Sequence, residues 1–241
     1  MQKTIGLIGG MSWESTAVYY RQINEIVREQ RGGLHSADIL LASVDFQTIV
    51  DWQTSGQWDR AAEYLAGVAN RLEQAGADCL VICTNTMHRI AAPIAQAVAI
   101  PLIHIVDVTG AALRAGGARK PLLLATRYTM EDTFYRDRLH QIFGLDATVP
   151  DAAGRELVHR VIFEELCCGI VSAASRQAFQ DLIAAARHKG CDSVILGCTE
   201  IGLLIGPEDC ALPAYDSTLL HAAAAVDFAL ADTRAAARRV A

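Results

Sequence analysis

Two stretches of the chain place chemically capable side chains directly after short apolar runs. Cys79–Cys83 leads into Thr84-Asn85-Thr86, and Ser193–Leu196 leads into Gly197-Cys198-Thr199-Glu200. A thiol can serve as nucleophile or, once ionised, as proton acceptor, and its reactivity follows its pKa. A threonine hydroxyl in the matching place is a far weaker acid. Residues 76–86 align without gaps on residues 190–200, so Thr84 and Cys198 occupy equivalent positions 114 residues apart. Pro101 and Pro213 follow at a similar offset of 112. The spacing points to duplication of a unit too long for a solenoid repeat. Two proton-transfer groups aimed at one small carboxylate from opposite sides would permit stereoinversion: one removes the α-proton and the other returns one. Asn85 and Thr86, and Thr199 and Glu200, would stand at helix starts. Unpaired N–H groups there suit a carboxylate and an enolate-like charge, and would lower a thiol pKa.

The elements that must hold these residues alternate between short apolar strands and amphipathic helices. The first half reads as strands at Thr4–Ile8, Ile39–Val44, Cys79–Cys83 and Leu102–Val106, with helices over about Glu14–Gln30, Trp58–Ala75 and Met87–Ala97. The second half reads as strands at Pro121–Ala125, Ala147–Val149, Ser193–Leu196 and Leu212–Tyr215. Its helices are expected at Met130–Phe143, Gln177–His188 and Leu219–Leu230. This order predicts an α/β fold of two pseudo-symmetric, doubly wound parallel-sheet halves. Ligands in such sheets bind beyond the carboxyl ends of the strands, so the active site is expected in the cleft between the halves. The expected boundaries are 1–112 and 113–230, with the C-terminal helix packed on the first half and a frayed tail over 231–241.

Composition narrows the function classes. The 241 residues are 52% hydrophobic and 20% charged, with a net charge of −6. That supports a packed core and argues against disorder. No Lys/Arg block suggests nucleic-acid binding, and no apolar run reaches the ~18 residues of a membrane span. The opening MQKTIGLIGG reads as strand and turn rather than signal peptide. Seven scattered cysteines, an odd number, fit free thiols in the cytoplasm.

With three motifs assembled, the chain resembles the aspartate/glutamate racemase family, nearest its bacterial L-aspartate/glutamate-specific or broad-specificity branch. The motifs are Ile5-Gly6-Leu7-Ile8-Gly9-Gly10-Met11-Ser12-Trp13-Glu14-Ser15-Thr16, Cys83-Thr84-Asn85-Thr86-Met87-His88 and Gly197-Cys198-Thr199-Glu200-Ile201-Gly202. The resemblance spans about residues 3 to 230. It implies racemisation of an amino acid without a cofactor, and a homodimer. No C-x-x-C pair is present, so no metal is expected. The family usually carries a cysteine where this chain has Thr84. Resemblance to the threonine-containing branch implies that Thr84 keeps a catalytic position beside Cys198, with unequal directions. Cys83 is the rival for the first-half role, although the repeat pairs it with Gly197.

The resemblance further implies that Met11 and Ser12 line the pocket and that Gln53 meets substrate. Many members place an arginine in the Gln53 loop, and none lies between Arg31 and Arg60 here. Arg127, in the loop after the second half's first strand, is the best cationic substitute. Asn85, Thr86, Thr199 and Glu200 complete the expected substrate-binding set. Gly6-x-x-Gly9-Gly10 lacks the spacing of a nucleotide loop and reads as a tight turn. His88 and His104 read as structural, and Glu164-Glu165 as a solvated helix face. The rival readings are a one-thiol superfamily member, such as a decarboxylase or maleate-type isomerase, and a non-catalytic small-molecule binding protein.

Overall fold

The structure is a computed structural model that describes residues 2–240, with side chains through residue 231. The chain forms two compact units, one of residues 1–104 and 221–241, the other of residues 105–220. The chain therefore changes unit at His104/Ile105 rather than at the expected 112/113.

In the first unit, β1 (Ile5–Gly9) is followed by α1 (Trp13–Arg31), β2 (Ile39–Ser43), α2 (Phe46–Thr54), α3 (Trp58–Gln74), β3 (Cys79–Ile82), a 3₁₀ helix at Thr86–Ile90 and α4 (Ala91–Gln96). The sheet order is β2-β1-β3, all parallel, and an isolated parallel bridge joins Leu80 to Leu102. Every residue of β1 and β3 is buried, as expected of strands covered on both faces. Ala61, Leu65, Val68, Ala69 and Leu72 form the buried stripe of α3 at helical spacing. The turn from β1 into α1 is set by Gly10, whose φ of +89° suits glycine and where a Cβ would collide with the Val44 carbonyl. Ser12 caps α1 by accepting from the Ser15 N–H.

In the second unit, α5 (Ile105–Ala115) precedes β4 (Pro121–Leu124), α6 (Arg127–Glu131), α7 (Phe134–Phe143) and α8 (Ala152–Arg160). A π-helical turn at Val161–Glu165 and a 3₁₀ turn at Leu166–Cys168 follow. Then come α9 (Ala173–His188), β5 (Ser193–Leu196), α10 (Ile201–Leu204), a 3₁₀ turn at Pro207–Asp209 and β6 (Ala214–Asp216). The parallel order is β4-β5-β6, with a bridge from Leu122 to Thr148. A last helix, α11 (Ser217–Val240), gives Ala222, Ala225, Val226, Ala229 and Leu230 to the first unit's core. The fraying expected over 231–241 falls almost wholly outside the residues with described side chains.

The two sheets repeat one plan. β1 and β4 each pair with the strand that carries the reactive motif, in the registers Ile5–Cys79 and Pro121–Ser193. The repeat extends to a brace below each sheet. Asp78 Oδ2 accepts the Thr4 N–H at 2.7 Å, and the equivalent Asp192 Oδ2 accepts the Arg119 and Lys120 N–H groups at 2.7 and 2.9 Å.

Several expected elements come out differently. The strand read at Leu102–Val106 is only the Leu102 bridge, because Ile105 opens α5, whose buried face is Ile105, Val106, Thr109, Gly110 and Leu113. Ala147–Val149 likewise reduces to the Thr148 bridge. The helix expected at Met87–Ala97 is a 3₁₀ turn followed by α4, and Met130–Phe143 is divided into α6 and α7. Glu165 is not a solvated face residue: its Oε2 accepts the hydroxyls of Ser175 and Ser172 at 2.5 and 3.3 Å.

Candidate active site

Within the first unit, Thr84 stands immediately beyond β3 and is partly exposed. Its N–H donates to Ile82 O at 2.8 Å, and its carbonyl accepts from His88 Nδ1 at 2.8 Å. The His88 ring lies 4.8 Å from that of His104 and 5.5 Å from that of His221. His221 is completely buried; its Nε2 donates to Ile103 O at 2.7 Å, and its Nδ1 accepts from the Tyr19 hydroxyl at 2.9 Å. Burial pushes the His221 pKa down to about 4, with the His104 charge acting in the same direction and the bond to Ile103 opposing it. The imidazole is therefore neutral at pH 7, with its proton fixed on Nε2 by the carbonyl it faces. His88 thus holds the backbone of the Thr84 turn, and a buried Tyr19–His221 pair lies against it. His221 and Tyr19 escaped the sequence reading, since a lone histidine in an Ala-rich helix carries no motif.

Cys83, one residue earlier, has no exposed surface. Burial pushes its thiol far above the ordinary value. Of the two rivals, Thr84 is the one with surface to offer a ligand. Asn85 and Thr86 are buried at the start of the 3₁₀ turn. Met11 and Ser12 are buried at the entrance to α1, with the Ser12 hydroxyl engaged with Ser15. Gln53 is buried near the end of α2, and its Nε2 lies 3.0 Å from Met87 Sδ.

Within the second unit, Cys198 follows β5 and is partly exposed, while Thr199 and Glu200 are buried. Gly197 permits this turn: a Cβ there would lie 2.8 Å from Leu123 Cδ1 and 3.0 Å from Leu124 O. The Cys198 thiol donates to Glu200 Oε2 at 3.0 Å. The helix beyond is only the four residues of α10. Cys198 does not have the lowered pKa expected at a helix start. Desolvation raises it well above the ordinary value, and the charge of Glu200 and its hydrogen bond to the thiol add to the rise. A helix terminus contributes ~0.3–1 kcal/mol, too little against burial beside a carboxylate. The resting thiol is protonated, and its proton already points at the group that could take it.

Arg127 begins α6 at the C-terminal end of β4, as expected for a residue of this loop, and is exposed. Its guanidinium lies 3.7 Å from Glu156, and its N–H donates to His159 Nδ1 at 3.4 Å. Beside it, buried Thr126 and Thr129 bring their hydroxyls within 3.3 Å. Sequence alone assigns no role to His159, Thr126 or Thr129. Among the described residues no group of three or more His, Cys, Asp or Glu is placed to hold a metal ion, and no helix is long and apolar enough to cross a membrane.

Known proteins share sequence and architecture with this chain. The broad specificity amino-acid racemase RacX of Bacillus subtilis (strain 168) is 22% identical over 237 residues, covering 94% of this chain and 98% of that protein. Among solved structures, a candidate Asp/Glu racemase from Yersinia pestis is 50% identical with a TM-score of 0.89, over 95% of this chain and 99% of that one. An aspartate racemase homologue from Pyrococcus horikoshii OT3 is 32% identical with a TM-score of 0.84, at the same coverages of 95% and 99%. The family model for Asp/Glu/Hydantoin racemases matches residues 8–225, a span that contains Thr84 and Cys198. The α/β plan is thus that of a known group, and the chain belongs to the Asp/Glu/Hydantoin racemase family.

Proposed function

We propose that the protein racemises an amino acid, aspartate, glutamate or a broader set, by removing and returning the proton at Cα without pyridoxal phosphate. The observation that carries this reading is the Cys198 thiol, partly exposed beyond β5 and hydrogen-bonded at 3.0 Å to a buried carboxylate. Passing its proton to Glu200 gives a thiolate that takes the α-proton of one enantiomer. N–H groups of the Thr84-Asn85-Thr86 and Cys198-Thr199-Glu200 turns are suited to the charge that develops on the substrate carboxylate. Inversion requires a proton donor at the other face of Cα, a role we assign to Thr84, acting directly or through a water. Met11, Ser12 and Gln53 are assigned to the substrate surface, and Arg127 to a side-chain carboxylate. The seven free thiols support a reducing, cytoplasmic setting, and the family resemblance supports a homodimer.

The two enantiomers of an amino acid have equal free energies, so kcat/KM must be equal in the two directions. Unequal acid–base partners show themselves instead in exchange. In D₂O, the enantiomer whose α-proton faces Cys198 takes up deuterium faster than it inverts, while the other inverts about as often as it exchanges. Single-enantiomer amino acids incubated with purified protein, read by chiral chromatography and mass, test this. Cys198→Ala abolishes both signals. Turnover that survives Cys198→Ala, or loss of carbon dioxide without inversion, overturns the assignment, the second in favour of a decarboxylase.

A further inference from the structure

Glu200 faces two thiols. Its Oε2 accepts from Cys198, and its Oε1 lies 3.7 Å from Cys167 Sγ. Cys167 sits in an irregular passage where α8 gives way to the π turn Val161–Glu165 and then the 3₁₀ turn Leu166–Cys168, ended by left-handed Gly169 at φ +74°. π-turns mark local departures from the α ladder that re-aim side chains, often beside functional sites. The passage is fixed from outside: Glu165 accepts the hydroxyls of Ser172 and Ser175, which are the N-cap and first turn of α9. Leu166, beside Cys167, is buried in the second unit's core, against which both Cys167 and Cys198 pack.

We propose that Cys167 is a positioning residue for proton transfer: its S–H donates to Glu200 Oε1 and so keeps Oε2 aimed at the Cys198 sulfur. A carboxylate held at one oxygen turns less about its terminal torsion, a broad two-fold torsion that packing alone defines weakly. The acceptor therefore stays within reach of the thiol proton. This role rests on the racemase reading and explains why a second thiol stands beside the first without sharing its motif.

The charged and titratable groups that bear on Cys198 are Glu200 and Cys167. Glu200 raises the thiol through its charge and hydrogen bond, so releasing Glu200 lets the Cys198 titration midpoint fall. The experiment compares wild type, Cys167→Ala and Cys167→Ser. One readout is kcat and KM on the best amino acid of the chiral panel. The other is the pH dependence of iodoacetamide labelling at Cys198, resolved by peptide mass spectrometry. Cys167→Ala is expected to lower kcat several-fold at unchanged KM and to move the Cys198 labelling midpoint to lower pH. Cys167→Ser, which keeps a donor, restores both. Unchanged kcat and midpoint in Cys167→Ala overturn the proposal, as does a serine variant that behaves like alanine. If Cys198→Ala retains racemase activity, the functional reading fails instead. The labelling shift at Cys198 in Cys167→Ala still reports the contact in that case.

Discussion

Replacing His221 changes how the first unit responds to acid. The ordinary histidine value is 6.5, and burial takes His221 down to about 4. Between those values the unfolded chain binds a proton at this position and the folded chain does not, so acid favours unfolding. The stability held by the neutral imidazole is fully present above about pH 6.5 and is lost as pH falls toward about 4. Across the whole window the loss amounts to about 3 kcal/mol, and between about pH 7.5 and about pH 5 it is about 2 kcal/mol. The three tryptophans, Trp13, Trp52 and Trp58, all belong to the first unit, so intrinsic fluorescence follows that unit alone. At a denaturant slope of about 2 kcal/mol/M, the urea midpoint of the wild type should drop by about 1 M more between the two pH values than that of His221→Gln. The variant is less stable at neutral pH, having lost a fitted imidazole between Tyr19 and Ile103, but lacks this share of the acid response. Parallel losses in the two proteins would refute the reasoning. So would an NMR titration that finds the His221 imidazole protonating near its ordinary value.

Other outcomes follow from the same coordinates. Cys83→Ser should retain turnover, because that thiol has no exposed surface; a loss as complete as that of Cys198→Ala, measured by chiral analysis, would transfer the first-half role to Cys83. Arg127→Ala should raise KM for acidic amino acids several-fold and leave neutral ones unchanged. Equal effects on both classes would make Arg127 a surface residue paired with Glu156. Asp192→Asn should lower stability by about 1 kcal/mol, since the exposed carboxylate accepts two backbone N–H groups. Desolvation acts to raise the Asp192 pKa, but those bonds outweigh it and lower the pKa below 3.8. The contribution is therefore present above that value and fades as pH falls through the folded value, which urea titrations at acid pH can read. Gly10→Ala should destabilise the first unit by about 3 kcal/mol or more, through a left-handed φ and collision with Val44, visible in the thermal midpoint.

What could be read from the residues depended on how local the deciding forces were. β1, β3 and β5 were legible because fully buried parallel strands are uninterrupted apolar runs, and α1 and α3 because their stripes recur at helical spacing. The β-branched run Ile103, Ile105, Val106 reads as strand, yet packing against the second unit's core makes a helix from Ile105. Helix α2 buries only Ile49 and Gln53, and α8 only Gly154 and Val158, so neither showed a stripe. In the site, the position of Cys198 followed from its motif. The direction of its pKa did not, since burial and the reach of Glu200 are tertiary facts. The pairing of Cys167 with Glu200 was not legible for the same reason: 33 residues separate the two.

The carboxylates of Asp78 and Asp192 tie down the same corner of two sheets built on one plan. The joinery is the same in both, while the side chains above it differ, oxygen at Thr84 and sulfur at Cys198. Each copy therefore serves as a control for its twin. Writing cysteine at position 84, or threonine at 198, asks how far the chemistry can drift on a frame held the same way in both halves.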